Sequence, residues 1–152
     1  PEPVRNLVEV ARLLAAGRCA DPTYFSQRIA AHLGDQVRWL GAMAPEQIMD
    51  EVGRASLALA TPQWDEPFGL VLIEALSCGT PVAAFSRGGI PEILRTVPEH
   101  LARPDDVDDL VRAARAALHQ PRAEARAIAV ERFDLKVMID RYLSLFEEVI
   151  AS

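Results

Sequence analysis

Short apolar runs alternate with longer amphipathic stretches along most of the chain. The short runs predict strands at residues 37–40, 57–60, 82–85 and 100–103. The longer stretches between them predict helices, of which the first three cover residues 23–33, 45–54 and 69–78. Strands that alternate with helices in this way are typical of an α/β protein with a mainly parallel sheet.

Two more helices are predicted in the last third of the chain. Aspartates 105, 106, 108 and 109 cluster before a helix that runs to Leu118, and carboxylates are favoured at the positive end of a helix dipole. Asp134 can cap a final helix over residues 134–150, whose apolar positions recur at three- and four-residue steps. Four arginines that alternate with alanine are interpreted as solvated surface: Arg112, Arg115, Arg122 and Arg126.

The first residues do not fit this order of elements. Residues 4–14 look helical, whereas residues 13–16 look like a strand that ends at Gly17. No residues remain for the loop that normally joins a helix to a strand, which needs about 2–6 residues. Either the strand is missing from the fold, or the printed sequence lacks residues that the natural chain has.

Composition narrows the class of protein and of partner. A chain of 152 residues without repeats or Gly/Ser linkers predicts a single domain over 1–152. With 16 Lys and Arg against 22 Asp and Glu, the net charge of −6 argues against nucleic acid as a partner. Two cysteines fit a reduced compartment, and no apolar stretch is long enough for a transmembrane segment. The sequence therefore predicts a cytoplasmic protein, with peripheral membrane association left open for the full-length protein.

Residues 61–82 carry the most informative pattern. Prolines 62 and 67 predict an irregular loop after a strand, and the helix that follows is apolar nearly all the way round. Such a helix is expected to be buried. Its only charged residue is Glu74, and a buried carboxylate needs hydrogen-bond partners because desolvation is costly.

The start of this helix is a candidate phosphate site. It follows the carboxyl end of a parallel strand, where the amides of Phe68, Gly69 and Leu70 are expected to face a ligand crevice. Glu74 lies about 7 Å further along the axis, within reach of ribose hydroxyls. Glu66, in the loop, would face the group beyond the phosphates. Together these residues favour a nucleoside diphosphate derivative as ligand.

Other interpretations stay open from the residues alone. Glu66 and Glu74 could be a loop acid and an ion-paired helix acid. Gly88 and Gly89 fit a turn that needs positive φ, and their place after a strand makes Gly89 a candidate wall of the ligand site. The three histidines have no metal-ligand spacing, so no metal site is predicted.

Residues 66–93 resemble the E-x7-E signature of retaining GT-B glycosyltransferases of family four. The resemblance is carried by Glu66-Pro-Phe-Gly-Leu-Val-Leu-Ile-Glu74, by Ala-Leu-Ser-Cys-Gly-Thr-Pro-Val82 directly after it, and by Gly88-Gly-Ile-Pro-Glu-Ile93. Residues 37–41 resemble the strand and turn that line the base pocket of these enzymes. The resemblance extends from about Tyr24 to the end of the chain. It implies the Rossmann-like, three-layer α/β/α C-terminal half of a GT-B fold, which binds the nucleotide-sugar donor.

The resemblance also implies roles for individual residues. Glu66 would be the catalytic residue, with a positioning and electrostatic role at the sugar hydroxyls, and Glu74 would hold the ribose. Further donor-binding residues would be Pro67, Phe68, Gly69, Leu70, Gly41, Met43 and Gly89. The implied reaction transfers a hexosyl group from a UDP-, GDP- or ADP-sugar to an unidentified acceptor, with retention and with neither a metal nor a cofactor.

Two departures from the family pattern bear on completeness. The family supplies an Arg and a Lys to the diphosphate from the start of this domain, where this chain offers only Arg5. The acceptor-binding N-terminal domain is absent, so the fragment alone is expected to be inactive, with residues 134–150 packing toward that domain. The alternatives are a noncatalytic nucleotide or sugar-nucleotide binding module, or a plain α/β interaction domain.

Overall fold

A computed structural model describes residues 13–17, 19 and 21–151. The chain forms two compact units, with the boundary between Glu51 and Val52. The strand pairs in both units are parallel, which confirms the predicted α/β class with parallel pairing. The predicted helix over residues 4–14 lies outside the described residues as far as residue 12, as does Arg5, and residues 13 and 14 belong to a strand rather than to that helix. The prediction of one domain over 1–152 stays a prediction.

The first unit is built on two parallel strands, β1 (Leu13–Ala16) and β2 (Val37–Gly41). The strand that ends at Gly17 is therefore present, and the alternative in which it is missing is wrong. The predicted helix over residues 23–33 is irregular. It consists of a short helix, α1 (Pro22–Tyr24), a π-helical turn (Phe25–Ile29) and a 3₁₀ turn (Ala30–His32).

Local chemistry accounts for the start of that helix and for its irregular course. The side chain of Asp21 accepts hydrogen bonds from the amides of Thr23 and Tyr24, at 2.9 and 3.0 Å. Within the π-helical turn, the amide of Ala30 donates to the carbonyl of Phe25, five residues earlier. Helix α2 (Pro45–Arg54), which matches its predicted bounds, runs across the boundary into the second unit.

The second unit contains a three-stranded parallel sheet in the order β3 (Ala58–Ala60), β4 (Val82–Phe85), β5 (Leu101–Ala102). These bounds confirm the three predicted strands to within one residue at each end. The register pairs Ala58 with Val82 and Ala84 with Leu101, so all three strands end at the same edge of the sheet.

In the described part of the chain, five α-helices follow α2: α3 (Leu70–Ser77), α4 (Ile90–Ile93), α5 (Val107–Ala117), α6 (Arg122–Phe133) and α7 (Leu135–Ala151). The predicted acidic start of α5 is confirmed, because the Asp106 carboxylate accepts from the Asp109 amide at 2.9 Å. The Asp134 carboxylate likewise accepts from the Lys136 amide at 2.8 Å. Helix α6 was not predicted as an element, since its buried face is mostly alanine and its N-cap is Pro121.

The core of the second unit lies around β4, all four residues of which are buried. Leu76, Ile90 and Leu94 are completely buried beside it. Helices α3 and α6 pack together through small residues, of which Ala75 and Ala125 are buried. This packing fixes the direction of α3, the helix that carries the candidate site.

The four arginines interpreted as solvated surface are all exposed, and three of them also donate hydrogen bonds to backbone carbonyls, which the sequence does not indicate. Arg122 donates to the carbonyls of Gly53 and Ala55, at 2.6 and 2.8 Å, and to that of Cys78 at 3.1 Å. Arg126 donates to the Ser77 carbonyl, and Arg112 donates to the carbonyls of Glu99 and Leu101. Guanidinium groups thus satisfy carbonyls that the ends of α2 and α3 leave free.

Helix α7 presents large apolar side chains to solvent along its length, including Phe146 at 57% and Ile150 at 86% exposure. The expectation that residues 134–150 pack toward another domain stays a prediction. Among the described residues, every helix is too short or too polar to cross a membrane.

His100 gives the second unit a predicted acid sensitivity. Its side chain is buried, burial lowers its pKa below the ordinary value of 6.5, and the neighbouring Glu99 and a hydrogen bond with the Val82 backbone only partly oppose that shift. The unfolded chain then takes up the proton first. The free energy of unfolding should be constant above pH 6.5 and fall below it, by at most about 1.4 kcal/mol per pH unit.

Urea unfolding between pH 8 and pH 5 measures this slope. The variant His100→Gln should flatten the slope below pH 6.5, whereas His119→Gln, which changes an exposed histidine, should leave it unchanged. An equal slope in His100→Gln and in the wild type would contradict the assignment.

Candidate functional site

Three loops meet at the edge of the sheet where β3, β4 and β5 end. They comprise residues 61–69, 86–89 and 103–106. The Arg87 guanidinium forms an ion pair with Asp105, which also accepts a hydrogen bond from the Gln63 side chain at 3.3 Å. The carboxyl edge of a parallel sheet is where α/β proteins bind ligands.

Two glycines support the backbone of the first loop. The Gly89 amide donates to the Glu66 carbonyl at 2.7 Å. A Cβ on Gly88, where φ is +53°, would lie 2.2 Å from that same carbonyl oxygen, and a Cβ on Gly89 would lie 2.7 Å from the Pro67 carbonyl oxygen. Residues 88–89 therefore hold Glu66 and Pro67 in place through a contact that only glycine allows.

The Glu66 side chain folds back onto the start of α3. Its Oε1 accepts from the Gly69 amide at 3.1 Å, and its Oε2 accepts from the Trp64 indole Nε1 at 3.2 Å. The expectation that the Gly69 amide is free for a ligand is wrong in this structure. Gly69 is the N-cap residue in a left-handed conformation, and its amide, which has no acceptor within the helix, is satisfied by the carboxylate three residues earlier.

Only one face of α3 is buried, so the expectation that the whole helix is buried is also wrong. Leu72 and Leu76 pack into the core, whereas Leu70 and Val71 are 63% and 69% exposed. Glu74 is exposed on the same side, one turn after Leu70. Its carboxylate lies in solvent and needs no protein partner to offset desolvation.

Exposed apolar side chains flank Glu66 in the chain. Trp64 and Phe68 are 62% and 53% exposed, and they lie in the chain on either side of Glu66. The Phe68 ring contacts Phe133 edge to face at 6.2 Å between ring centroids. Exposed apolar groups next to carboxylates are typical of a surface that binds a ligand or a partner.

The remaining predicted site residues, Gly41 and Met43, belong to the first unit. Gly41 ends β2 with φ of +72°, and its carbonyl accepts a hydrogen bond from the Gly17 amide at 2.9 Å. Met43 follows and is half-buried. Their role in binding a base stays a prediction. The other predicted site residues all lie in the second unit, namely Glu66, Pro67, Phe68, Gly69, Leu70, Glu74 and Gly89.

Sequence reasoning missed three contributors to the site. Trp64 and Arg87 have no predicted role in the site, yet both make polar contacts there. Asp105, assigned to a helix start, takes a left-handed conformation with φ of +61° and connects two of the loops. The Trp64–Glu66 spacing of two residues was the only local signal for any of these contacts.

Across residues 13–17, 19 and 21–151, no group of three His, Cys, Asp or Glu side chains could hold a metal ion.

Known proteins similar to this chain include several that are named glycosyltransferases. A D-inositol 3-phosphate glycosyltransferase of Saccharomonospora viridis is 34% identical over 135 residues, which are 82% of this chain and 30% of that protein. A glycosyltransferase structure from Rickettsia africae superposes with a TM-score of 0.80 at 18% identity, over 98% of this chain and 43% of that one. The Anabaena protein HepE, solved with UDP and glucose, superposes with a TM-score of 0.74 at 24% identity, over 96% of this chain and 44% of that one.

The two structural likenesses establish the fold. The chain spans less than half the length of each of these three proteins. The model of the family described as glycosyl transferases group 1 matches residues 3–132, a range that includes all three loops of the site. The chain therefore belongs to the glycosyl transferases group 1 family.

Proposed function

We propose that this chain is the nucleotide-sugar donor-binding domain of a retaining glycosyltransferase. The enzyme would transfer a hexosyl group from a nucleoside diphosphate sugar to an acceptor. One observation carries the proposal: Glu66 and Glu74 lie on either side of an exposed helix start, the first bound to the Gly69 amide and the second in solvent one turn further along.

The helix start suits the diphosphate. The first amides of a helix have no acceptor within it, and Glu66 occupies only the amide of Gly69. The amides of Leu70 and Val71 would donate to phosphate oxygens, at the positive end of the α3 dipole. These contacts would offset the charge on the departing diphosphate without a metal ion or a cofactor.

The two carboxylates suit the groups on either side of the diphosphate. Glu74 lies about 6 Å along the helix axis from Leu70, a distance that allows its oxygens to accept from ribose hydroxyls. Glu66 would accept from hydroxyls of the transferred sugar and stabilise positive charge that develops at the anomeric carbon. The likeness to HepE, which was solved with UDP and glucose, supports a donor of this class.

The acceptor would bind outside this chain. Because the chain covers 43% and 44% of the solved structures described above, we expect a further domain of the same enzyme to hold the acceptor. The domain described here would then bind donor without turning it over by itself. The reaction would take place where the exposed face of α3 meets that domain.

Donor titrations of the full-length gene product test this proposal. One of UDP-, GDP- or ADP-glucose should bind, and Glu74→Ala should weaken its binding about ten- to a hundred-fold, because a hydrogen bond to a charged group contributes about 1.5–3 kcal/mol. Glu124→Ala, which removes an exposed carboxylate from α6, should bind like the wild type. Absence of binding at millimolar concentration, or an unchanged affinity in Glu74→Ala, would contradict the donor-site assignment.

A further inference from the structure

Trp64 is exposed, and its indole N–H nevertheless makes a hydrogen bond within the protein. Its side chain is 62% exposed, more than Phe68 at 53% or Tyr142 at 54%. An indole ring with that exposure gains little from packing, so burial does not fix its orientation. The contact that fixes it is the hydrogen bond from its Nε1 to Oε2 of Glu66, at 3.2 Å.

Apart from its bond to Trp64, the Glu66 carboxylate is held at one of its two oxygens only. Its backbone carbonyl accepts from Gly89, and its Oε1 accepts from the Gly69 amide at 3.1 Å. The last torsion of a glutamate side chain has a broad energy well, so one bond to Oε1 leaves the position of Oε2 poorly defined. The indole of Trp64 supplies the second point of attachment.

The two hydrogen bonds orient the Glu66 carboxylate and still leave it able to accept further hydrogen bonds. Each carboxylate oxygen can accept about two hydrogen bonds, and Gly69 and Trp64 use one on each oxygen. The second acceptor position on each oxygen remains available to a hydroxyl donor from a ligand. Glu66 can therefore bind a sugar while it is still held by the protein.

We propose that Trp64 is a positioning residue for Glu66, which it holds in one orientation through its indole N–H. The inference rests on the proposed function, since it assigns Trp64 a part in the reaction for which Glu66 is the catalytic residue. Displacement of a catalytic group by about 1 Å can cost a hundred-fold in rate. Loss of the indole N–H should therefore lower kcat more than it changes the KM for the donor.

The kinetic test uses the full-length gene product with its donor and acceptor. Trp64→Phe keeps an aromatic ring and removes the N–H. We expect kcat to fall about ten-fold or more, and the donor KM to change by less than about three-fold, because the carboxylate is still present to bind hydroxyls. The matched control is Tyr24→Phe, which removes the polar hydrogen of an exposed aromatic side chain in α1 and should keep the wild-type kcat.

A spectroscopic test is independent of activity. The Trp64 indole N–H resonance is identified as the one missing from the spectrum of Trp64→Phe. A hydrogen bond to a carboxylate should shift that resonance, so Glu66→Ala should move it and Glu124→Ala should not. A resonance that stays in place in Glu66→Ala would overturn the inference even if transfer is lost.

The outcomes separate this inference from the function on which it rests. Loss of transfer in Glu66→Gln with wild-type kcat in Trp64→Phe would overturn the positioning role and keep the proposed function. Full transfer in Glu66→Gln would remove the catalytic role of Glu66 and the positioning role with it, whereas absence of donor binding by the wild type would overturn the proposed function itself. Reduced kcat in both variants, with a donor KM near the wild-type value in Trp64→Phe, supports the positioning role.

Discussion

Replacement of Glu66 by alanine should reduce glycosyl transfer by the full-length gene product by about a hundred-fold or more. The proposed site has one carboxylate beside the reacting carbon, and alanine leaves developing positive charge there without a counter-charge. The same change removes the acceptor for the Gly69 amide, at a cost to folding stability of about 1 kcal/mol. Initial rates with saturating donor, together with urea unfolding, measure the two effects separately.

The variant Glu66→Gln separates the effect of the carboxylate charge on transfer from the effect of the hydrogen bond to the Gly69 amide on stability. The amide oxygen of glutamine can still accept from Gly69, so this variant should keep most of the stability and still lose transfer. Asp65→Asn removes the adjacent exposed carboxylate and should retain wild-type transfer, which makes it the matched control. Wild-type rates in Glu66→Gln would remove the catalytic role assigned here to this residue.

The second large effect is expected at Gly88. A Cβ at this position would lie 2.2 Å from the Glu66 carbonyl oxygen and 2.6 Å from its nitrogen, with φ at +53°. Since the contacted atoms are backbone, the clash can be relieved only by moving the loop that carries Glu66. Gly88→Ala should lower the free energy of unfolding by about 2–5 kcal/mol, the sum of overpacking and left-handed strain.

The loop displacement should also weaken donor binding by about ten-fold or more, because the helix start and Glu66 would no longer align. The control is Gly53→Ala, where no atom lies within 4 Å of the added Cβ and the backbone is helical. That variant should be as stable as the wild type, or more stable by about 0.5–1 kcal/mol. Wild-type stability and affinity in Gly88→Ala would show that the loop tolerates the displacement.

The elements themselves could be predicted because their signals are local. The apolar runs at residues 82–85 and 57–60 have the length of strands, and Pro45 and Asp106 mark helix starts by their own chemistry. Helix α6 lacks such signals. Its buried positions are mostly small, so its helical period is weak in the sequence, and it becomes evident only from its packing on α3.

The candidate site could be predicted in position but not in contacts. The E-x7-E pattern locates both glutamates at one helix start, and the structure agrees. Whether a side chain is covered depends on elements distant in sequence, so an apolar composition made α3 look buried although Leu70 and Val71 are exposed. The guanidinium of Arg122 reaches carbonyls 67 and 69 residues away, a pairing that no local pattern encodes.

The return of the Glu66 side chain to the Gly69 amide affects which anions the helix start accepts. A bare phosphate that approaches the neighbouring amides meets a fixed carboxylate, and like charges at short range repel. A ligand that carries hydroxyl donors next to its phosphates compensates for that repulsion, because the hydroxyls bind the same carboxylate. If the proposed function holds, we expect the helix start to bind inorganic phosphate less tightly than molecules that join an anion to a polyol.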